Sequence, residues 1–340
     1  MKRHLLIWLG MAAALIVQAA LPAVPNLGNP RVIVLANNLE NYYYNSNPGR
    51  GDYTQAEIAA KTQKIVQMML ASNADIFAFC EVEAKPIALQ YLVQELNNAV
   101  GGNDFAVVAD GIDEDWDERY NNNIKSGFVY RVATVEPYYD DYAATNVTYY
   151  KNTMRIQAWT EIATGEHFTL SMNHFKAMSD ESSVAKRVEN ANWLMNGLSS
   201  SYKVKDPDIL IMGDLNCQMG EQALTIIVNH GYMEQLLRYD TNAYSYIYHN
   251  TRELIDHALA NATMANQISG AAVWHTNTSQ SYSQRYSDHD AVMVGLRLGE
   301  TMRVTDHVTV SEPAQKILRN GQIFIIRGGV EYTITGQRMY

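Results

Sequence analysis

The sequence predicts an α/β sandwich with mixed β-sheets, and three observations carry that prediction. Many apolar runs have strand length, only a few stretches keep helical spacing, and a helix follows some strands but not others. The chain has 340 residues, 47% of them apolar. That is enough for a large core in one main domain with smaller additions.

Lys2 and Arg3 precede an apolar run from Leu5 to Val17, and small residues follow at Ala19, Ala20 and Ala23. This is the layout of a secretory signal peptide over 1–23, too short to cross a bilayer, which takes ~20 apolar residues. It predicts an exported protein, periplasmic or secreted, without stable membrane insertion. The main domain is expected over 24–298. It opens with a buried strand from Arg31 to Ala36. Thr54 and Glu57 then form a capping-box pattern, and Ile58, Ile65, Met69 and Leu70 recur at helical spacing. A strand from Asp75 to Cys80 precedes a second helical stretch, Ala84 to Asn98. Phe105 to Ala109 and Gly127 to Arg131 read as strands. Arg155 to Ile162 and His167 to His174 alternate around Thr164-Gly165-Glu166 as a hairpin. A long helix, Ser182 to Leu198, leads to the strand Asp208 to Met212, and late strands cover Leu254 to Ala260, Ala271 to Trp274 and Ala291 to Leu298. A polar linker spans 299–313. The tail, 314–340, has turn signals at Asn320-Gly321 and Gly328-Gly329 that divide three apolar runs, a small β-meander.

The balance of 26 basic and 36 acidic residues gives a formal charge of −10, and loss of Lys2 and Arg3 leaves 24 against 36, or −12. A broad basic surface for nucleic acid is therefore excluded, and any polyanion must be held loosely by local cations and metal. Cys80 and Cys217 are expected as buried free thiols, with a disulfide as the alternative. Asp110 to Glu118 alternates acids like half a calcium loop, but its sixth position is Glu118 rather than glycine, which favours a solvated acidic loop.

Chemistry concentrates at predicted strand ends, where a rigid scaffold meets solvent. In Gly213-Asp214-Leu215-Asn216 a strand delivers a carboxylate and a carboxamide at i and i+2, on one side of the chain. Alone, such a run reads as an ordinary turn. It has company: Asn38-Leu39-Glu40, Glu81, Asn173-His174-Phe175-Lys176, Ser287-Asp288-His289-Asp290, and Asp256-His257 inside the strand Leu254 to Ala260. Carboxylates, carboxamides and histidines without cysteine suit a hard cation, Mg²⁺ or Mn²⁺ with Ca²⁺ as an alternative, rather than zinc.

The ordered motifs Asn38-Leu39-Glu40-Asn41-Tyr42, Ala74-Asp75-Ile76 through Glu81-Val82-Glu83, Asn173-His174-Phe175-Lys176, Gly213-Asp214-Leu215-Asn216, Ile255-Asp256-His257-Ala258 and Ser287-Asp288-His289-Asp290 resemble the endonuclease/exonuclease/phosphatase superfamily over about residues 31–298. Lys125 to Arg131, Ala243 to Tyr246 and Trp274-His275 resemble runs in the catalytic domain of secreted bacterial extracellular nucleases. The resemblance implies four layers, with two mixed sheets face to face and helices outside. It implies Glu81 as main metal ligand, with Asn38, Glu40 and Asp288 beside it. It also implies that Asp214 activates a water that Asn216 holds, that His289, oriented by Asp256, binds the scissile phosphate, and that His174 contacts that phosphate or protonates the leaving oxygen. Lys176, Arg155 and Arg285 are candidates for substrate binding. Two departures stand out. Asn123-Ile124-Lys125 replaces an acidic partner for the first histidine, and Asn37 replaces an aromatic before the asparagine, a change expected to affect packing.

The resulting expectation is a monomeric, exported, metal-dependent nuclease that hydrolyses phosphodiester bonds, of extracellular DNA in particular. A phosphodiesterase or phosphatase on lipid head groups or small phosphate esters is the alternative within the same chemistry. A catalytically silent binding or surface module is the alternative of another class.

Overall fold

A computed structural model describes residues 20–44, 54–109, 124–138, 154–199 and 206–300, together with three strands of the tail. The expected signal peptide up to residue 19, the acidic run after Ala109 and the linker beyond Glu300 lie outside the described residues.

Two six-stranded mixed sheets face each other, each built around one parallel pair. In the first, β1 (Val32–Tyr42) runs parallel to β2 (Ile76–Glu83). It is flanked by β3 (Phe105–Val107), β4 (Ile124–Arg131), β13 (Ile268–Trp274) and β14 (Ala291–Leu296), in the order β13-β14-β1-β2-β4-β3. In the second, β7 (His167–His174) runs parallel to β8 (Ile209–Asp214). With β5 (Val135–Pro137), β6 (Met154–Glu161), β9 (Met233–Glu234) and β12 (Asp256–Ala260) the order is β5-β6-β7-β8-β12-β9.

A parallel pair needs a crossover. Helix α1 (Gln55–Ser72) supplies it between β1 and β2, and α3 (Glu181–Ser199) supplies it between β7 and β8. The capping box at Thr54 forms as its sequence requires, with Thr54 and Glu57 each accepting from the other's backbone N–H. Of the four apolar positions that marked α1, Ile58, Ile65 and Met69 are buried, whereas Leu70 is exposed.

Three apolar clusters follow from this layering. Ile76, Phe128, Trp159, Leu170, Met212 and Val294 fill the space between the sheets. Leu35, Phe77 and Val129 of the first sheet meet Ile65 and Met69 of α1 and Leu89 and Leu92 of α2 (Ile87–Val100). Ile156, Ile211 and Leu259 of the second meet Leu194 of α3 and Leu224 of α4 (Gln222–Asn229). The order helix, sheet, sheet, helix is the four-layer sandwich that the resemblance implied.

Several elements differ from the sequence reading. β1 continues six residues beyond Ala36, to Tyr42, and Glu81 lies inside β2 rather than after it. β12 begins at Asp256, so this carboxylate too stands at a strand end. Cys80 and Cys217 are free and buried, but Cys217 lies in the loop beyond β8. Helix α5 (Leu236–Tyr239), the hairpin of β10 (Tyr246–Tyr248) and β11 (Thr251–Glu253), and α6 (Ala262–Ala265) are too short to leave a periodic signal. In the tail, β15 (Gln315–Arg319), β16 (Gln322–Arg327) and β17 (Val330–Thr333) pair antiparallel in chain order. Among the described residues no helix is long and apolar enough to cross a membrane.

Candidate active site

The carboxyl ends of both parallel pairs meet over one edge of the sandwich. β1 and β2 deliver Asn38 and Glu81, while β7 and β8 deliver His174 and Asp214. Asn38 binds the two sheets together, its Nδ2 donating to Glu81 Oε1 at 3.1 Å and to Asp214 Oδ2 at 3.0 Å. His174 Nε2 lies 3.5 Å from Glu81 and 3.8 Å from Asp214. β12 enters antiparallel to β8 with Asp256 opposite Asp214. The turn before β14 brings His289, whose Nδ1 is 2.7 Å from Asp256 Oδ2 and whose Nε2 is 3.8 Å from Asp214 Oδ2.

Unusual backbone accompanies this convergence. Glu40, Asn41 and Glu81 take positive φ of 47°, 56° and 53°, where the register of β1 against β2 shifts between Asn38 and Tyr42. Such left-handed non-glycine residues cost ~1–3 kcal/mol each and persist where surrounding contacts hold them. Two contacts hold them: Asn41 N–H donates to Glu81 Oε2 at 3.0 Å, and Lys61 Nζ of α1 donates to the Glu40 carbonyl at 2.6 Å. Gly213 has φ of 123°, and a Cβ there would stand 2.2 Å from the Asn173 carbonyl, so only glycine lets β8 run this close to β7 before turning out Asp214.

Burial raises the Asp214 carboxyl; His289, His174 and the Asn38 amide pull it back, and the net shift is upward. Burial opposes charge on His289, but Asp256 and Asp214 outweigh it and hold the ring well above the ordinary histidine range. Glu40 is raised by burial and by Asp288 nearby. Lys61, half-buried near Glu40, Glu81 and Asp288, is drawn down by desolvation to about 8. Burial also pushes Cys217 up to about 12 and Cys80 well above its usual range, so neither thiol is a nucleophile.

The predicted residues distribute unevenly. His174, Asp214, Asp256, His289, Asn38 and Glu81 converge, and Asp288 joins them with Oδ1 4.0 Å from His289 Nε2. Asn216 touches Asp214 through its backbone N–H, 2.8 Å from Oδ1, while its side-chain Nδ2 is spent on the Phe175 carbonyl. Glu40 and Arg285 face each other at 3.8 Å on the rim. Arg155 is buried and donates to the carbonyls of Val108 and Ala109, with its guanidinium over the Phe128 ring. Lys176 is exposed, and its backbone bonds to Asn190 and Arg187. Asn37 does more than the packing expected of it. It accepts from Tyr286 Oη and donates to the His289 carbonyl, fixing the turn that carries His289. Lys61 was missed because a lysine on a helix reads as solvated until the fold buries it. Tyr246, its ring 4.7 Å from His289, lay in the Ala243 to Tyr246 run, but no periodicity marked the ring as part of the site.

Residues 50–289, well over half of the chain, match the endonuclease/exonuclease/phosphatase family. The chain belongs to that family. Solved structures agree on the fold. An endonuclease/exonuclease/phosphatase family protein from Bacteroides thetaiotaomicron is 18% identical with a TM-score of 0.55, covering 78% of this chain and 97% of its own. A mannosyl-6-phosphatase from the same organism is also 18% identical, with a TM-score of 0.56 and coverage of 78% and 100%. D. rerio TDP2 in complex with a single-strand DNA product is 13% identical, with a TM-score of 0.54 and coverage of 78% and 98%. No curated protein matches the chain.

As a member of the endonuclease/exonuclease/phosphatase family, the protein is a hydrolase of phosphoester bonds that depends on a divalent metal. Its residues fit such an ion. Glu81, Glu40 and Asp288 offer partly exposed carboxylates, side chains 19%, 33% and 30% accessible, in an oxygen-rich rim. Asn38 is oriented otherwise, since its Oδ1 accepts from Glu40 N–H and its Nδ2 faces the carboxylates. Its Nδ2 braces Glu81 and Asp214, and its Oδ1 keeps one lone pair beyond the Glu40 bond. Asp214, Asp256 and His289 also bring three potential ligand atoms within 4.8 Å of one another. The His289 ring, held protonated between two carboxylates, has no lone pair to give, and this trio is suited to handling protons instead.

Proposed function

We propose that this chain is an exported nuclease that cleaves phosphodiester bonds, of extracellular DNA in particular, as a monomer using Mg²⁺ or Mn²⁺ and close in type to secreted bacterial nucleases. The observation that carries the reading is the aromatic run beside His289. The Tyr246 ring lies 4.7 Å from His289, and the Tyr248 ring, 55% exposed, stacks on Tyr246 at 6.5 Å and 14°. A phosphate at His289 would have rings next to it on which bases can stack, and stacking contributes ~1–3 kcal/mol per base in single strands. Export rests on the apolar run after Lys2 and Arg3. Removal of the whole expected segment 1–23 would lose the bond from Trp274 Nε1 to the Pro22 carbonyl, so we place the cleavage after Ala19 or Ala20 instead of Ala23.

The side chains divide the chemistry between them. Asp214, raised by burial and held by Asn38 and the Asn216 N–H, accepts the proton of the attacking water. The water oxygen bonds to phosphorus as the bond to the ester oxygen breaks. His289, charged and aimed by Asp256, donates to a non-bridging oxygen on which charge accumulates. His174, on the adjoining strand, delivers a proton to the leaving oxygen. Glu81, Glu40 and Asp288 would hold a divalent ion, which would supply further positive charge to the phosphate.

The test is release of acid-soluble nucleotides from double-stranded DNA by the mature protein with Mg²⁺, with Mn²⁺ and with chelator, alongside Asp214→Ala. Metal-dependent release that the variant lacks is expected. A folded wild type that releases nothing under either metal sinks the nuclease reading and leaves lipid head groups or small phosphate esters as substrates.

A further inference from the structure

A second histidine is held just as His289 is, and the mechanism does not use it. His275 Nδ1 lies 2.7 Å from Asp290 Oδ2, as His289 Nδ1 lies 2.7 Å from Asp256 Oδ2. Asp290 is fully buried and fixed by the N–H groups of Asn277 and Thr278. Its accepting carboxylate sets the His275 tautomer and turns Nε2 away, towards solvent, with 34% of the side chain accessible. Nε2 has no partner among the described residues.

Each histidine also has a tyrosine against its ring. Tyr244 stacks on His275 at 4.2 Å and 20°, and Tyr246 lies 4.7 Å from His289. The two tyrosines are i and i+2 around Ser245, whose carbonyl accepts from Asp290 N–H and whose Oγ accepts from Asp256 N–H. One residue thus ties both Asp–His pairs to one stretch of backbone. Over the ring of Tyr244 sits the guanidinium of exposed Arg252, 4.4 Å from the centroid and with no ion-pair partner among the described residues.

We propose that His275, Tyr244 and Arg252 form a second phosphate subsite, which takes the phosphate flanking the scissile one on a nucleic-acid strand. The inference rests on the nuclease reading and deepens it, because a single phosphate ester has nothing to place there. Arg252 supplies the N–H donors for an anion, His275 Nε2 adds one only in the doubly protonated ring because Asp290 already takes Nδ1–H, and the Asp290 anchor limits the entropy lost when the anion binds. Tyr244 packs against both, its ring 4.2 Å from that of His275 and 4.4 Å from the Arg252 guanidinium.

The test compares kcat/KM for a single-stranded oligodeoxynucleotide with that for bis(4-nitrophenyl) phosphate, in wild type, His275→Asn and Arg252→Ala, all with Mg²⁺. Each substitution is expected to reduce the ratio of the two about tenfold, through KM for the oligonucleotide, the effect of one charge-assisted hydrogen bond. An unchanged ratio, or an equal loss on both substrates in Arg252→Ala, overturns the subsite. Arg252 is exposed and lies on the β10–β11 hairpin, away from the Asp290 hydrogen bonds, so its variant stays informative if His275→Asn disturbs the Asp290 loop. If the wild type hydrolyses the ester but not the oligonucleotide, the nuclease reading fails, and binding then decides the subsite. Thymidine 3′,5′-bisphosphate shifting the His275 ring resonances, where thymidine 5′-monophosphate does not, upholds it; no shift with either sinks it.

Discussion

Asp256 Oδ2 accepts from His289 Nδ1 at 2.7 Å, with both residues buried. The bond does two things that distance alone does not convey. It orients the ring, so that Nε2–H is the group presented towards Asp214 and Asp288, and it offsets the desolvation that would otherwise discharge the ring. A buried imidazolium aimed in this way is a preorganised donor for a developing phosphate charge.

Asp256→Asn should therefore cost ~10²-fold or more in kcat while changing KM little, because the amide can hold the ring without holding its charge. Steady-state hydrolysis under saturating metal measures this. A loss confined to KM would assign Asp256 to substrate binding rather than to orienting the histidine.

Metal removal should be visible in stability as well as activity. Glu40 and Asp288 repel each other across the rim, and Glu40 is raised by burial and by that repulsion. An ion present at about a hundred times its Kd adds ~2.7 kcal/mol to the folded state. Calorimetry should show a higher Tm with Mg²⁺ or Mn²⁺ and a fall on chelation. Glu81→Gln should abolish both the shift and turnover while keeping the fold, since its amide oxygen can still accept from Asn38 or Asn41, as Glu81 does. Glu81→Ala is the poorer test: it leaves the Asn41 N–H without its acceptor, at ~1–3 kcal/mol. A Glu81→Gln protein with a wild-type Tm response would remove Glu81 from the metal site.

The sequence disclosed the strand-end residues and not their supports. Asp214, Asn216, His174, Glu81 and His289 stand in short polar runs after or before apolar ones, a contrast that needs no tertiary knowledge. Asn37, Lys61 and Ser245 carry no such contrast. Asn37 is one polar residue beside another until Tyr286, 249 positions away, donates to it. Lys61 lies on an amphipathic helix and becomes a site residue only because α1 crosses under the Glu40 bulge. Arg155 shows the opposite error, a cation that looks free in sequence but spends donors on the Val108 and Ala109 carbonyls. The short pieces β9, α5, β10 and β11 were illegible because two to four residues give no period.

His257 and Glu234 predict a pH dependence of folding whose sign can be worked out. The ring is fully buried, with Nδ1 2.7 Å from Glu234 Oε2 and Nε2 2.9 Å from the Cys217 carbonyl. Both partners are acceptors, so both nitrogens must carry protons. Burial opposes the charge, Glu234 and the carbonyl favour it, and the net pKa is raised above 6.5. A raised folded pKa contributes stability that is complete below about 6.5 and is lost as pH rises through the folded value. His289 acts in the same sense. Lys61, down at about 8, acts oppositely, since its penalty is relieved between there and 10.5. The histidine effect is therefore cleanest between 6.5 and about 8. Glu234→Gln should lower the Tm most near pH 6, where removing one member of a buried ion pair costs ~3–5 kcal/mol, and the deficit should shrink as the medium becomes alkaline. Thermal melts of metal-free wild type and variant across this range measure it. A deficit that does not change with pH would mean that His257 is neutral and that the pair contributes only as a hydrogen bond.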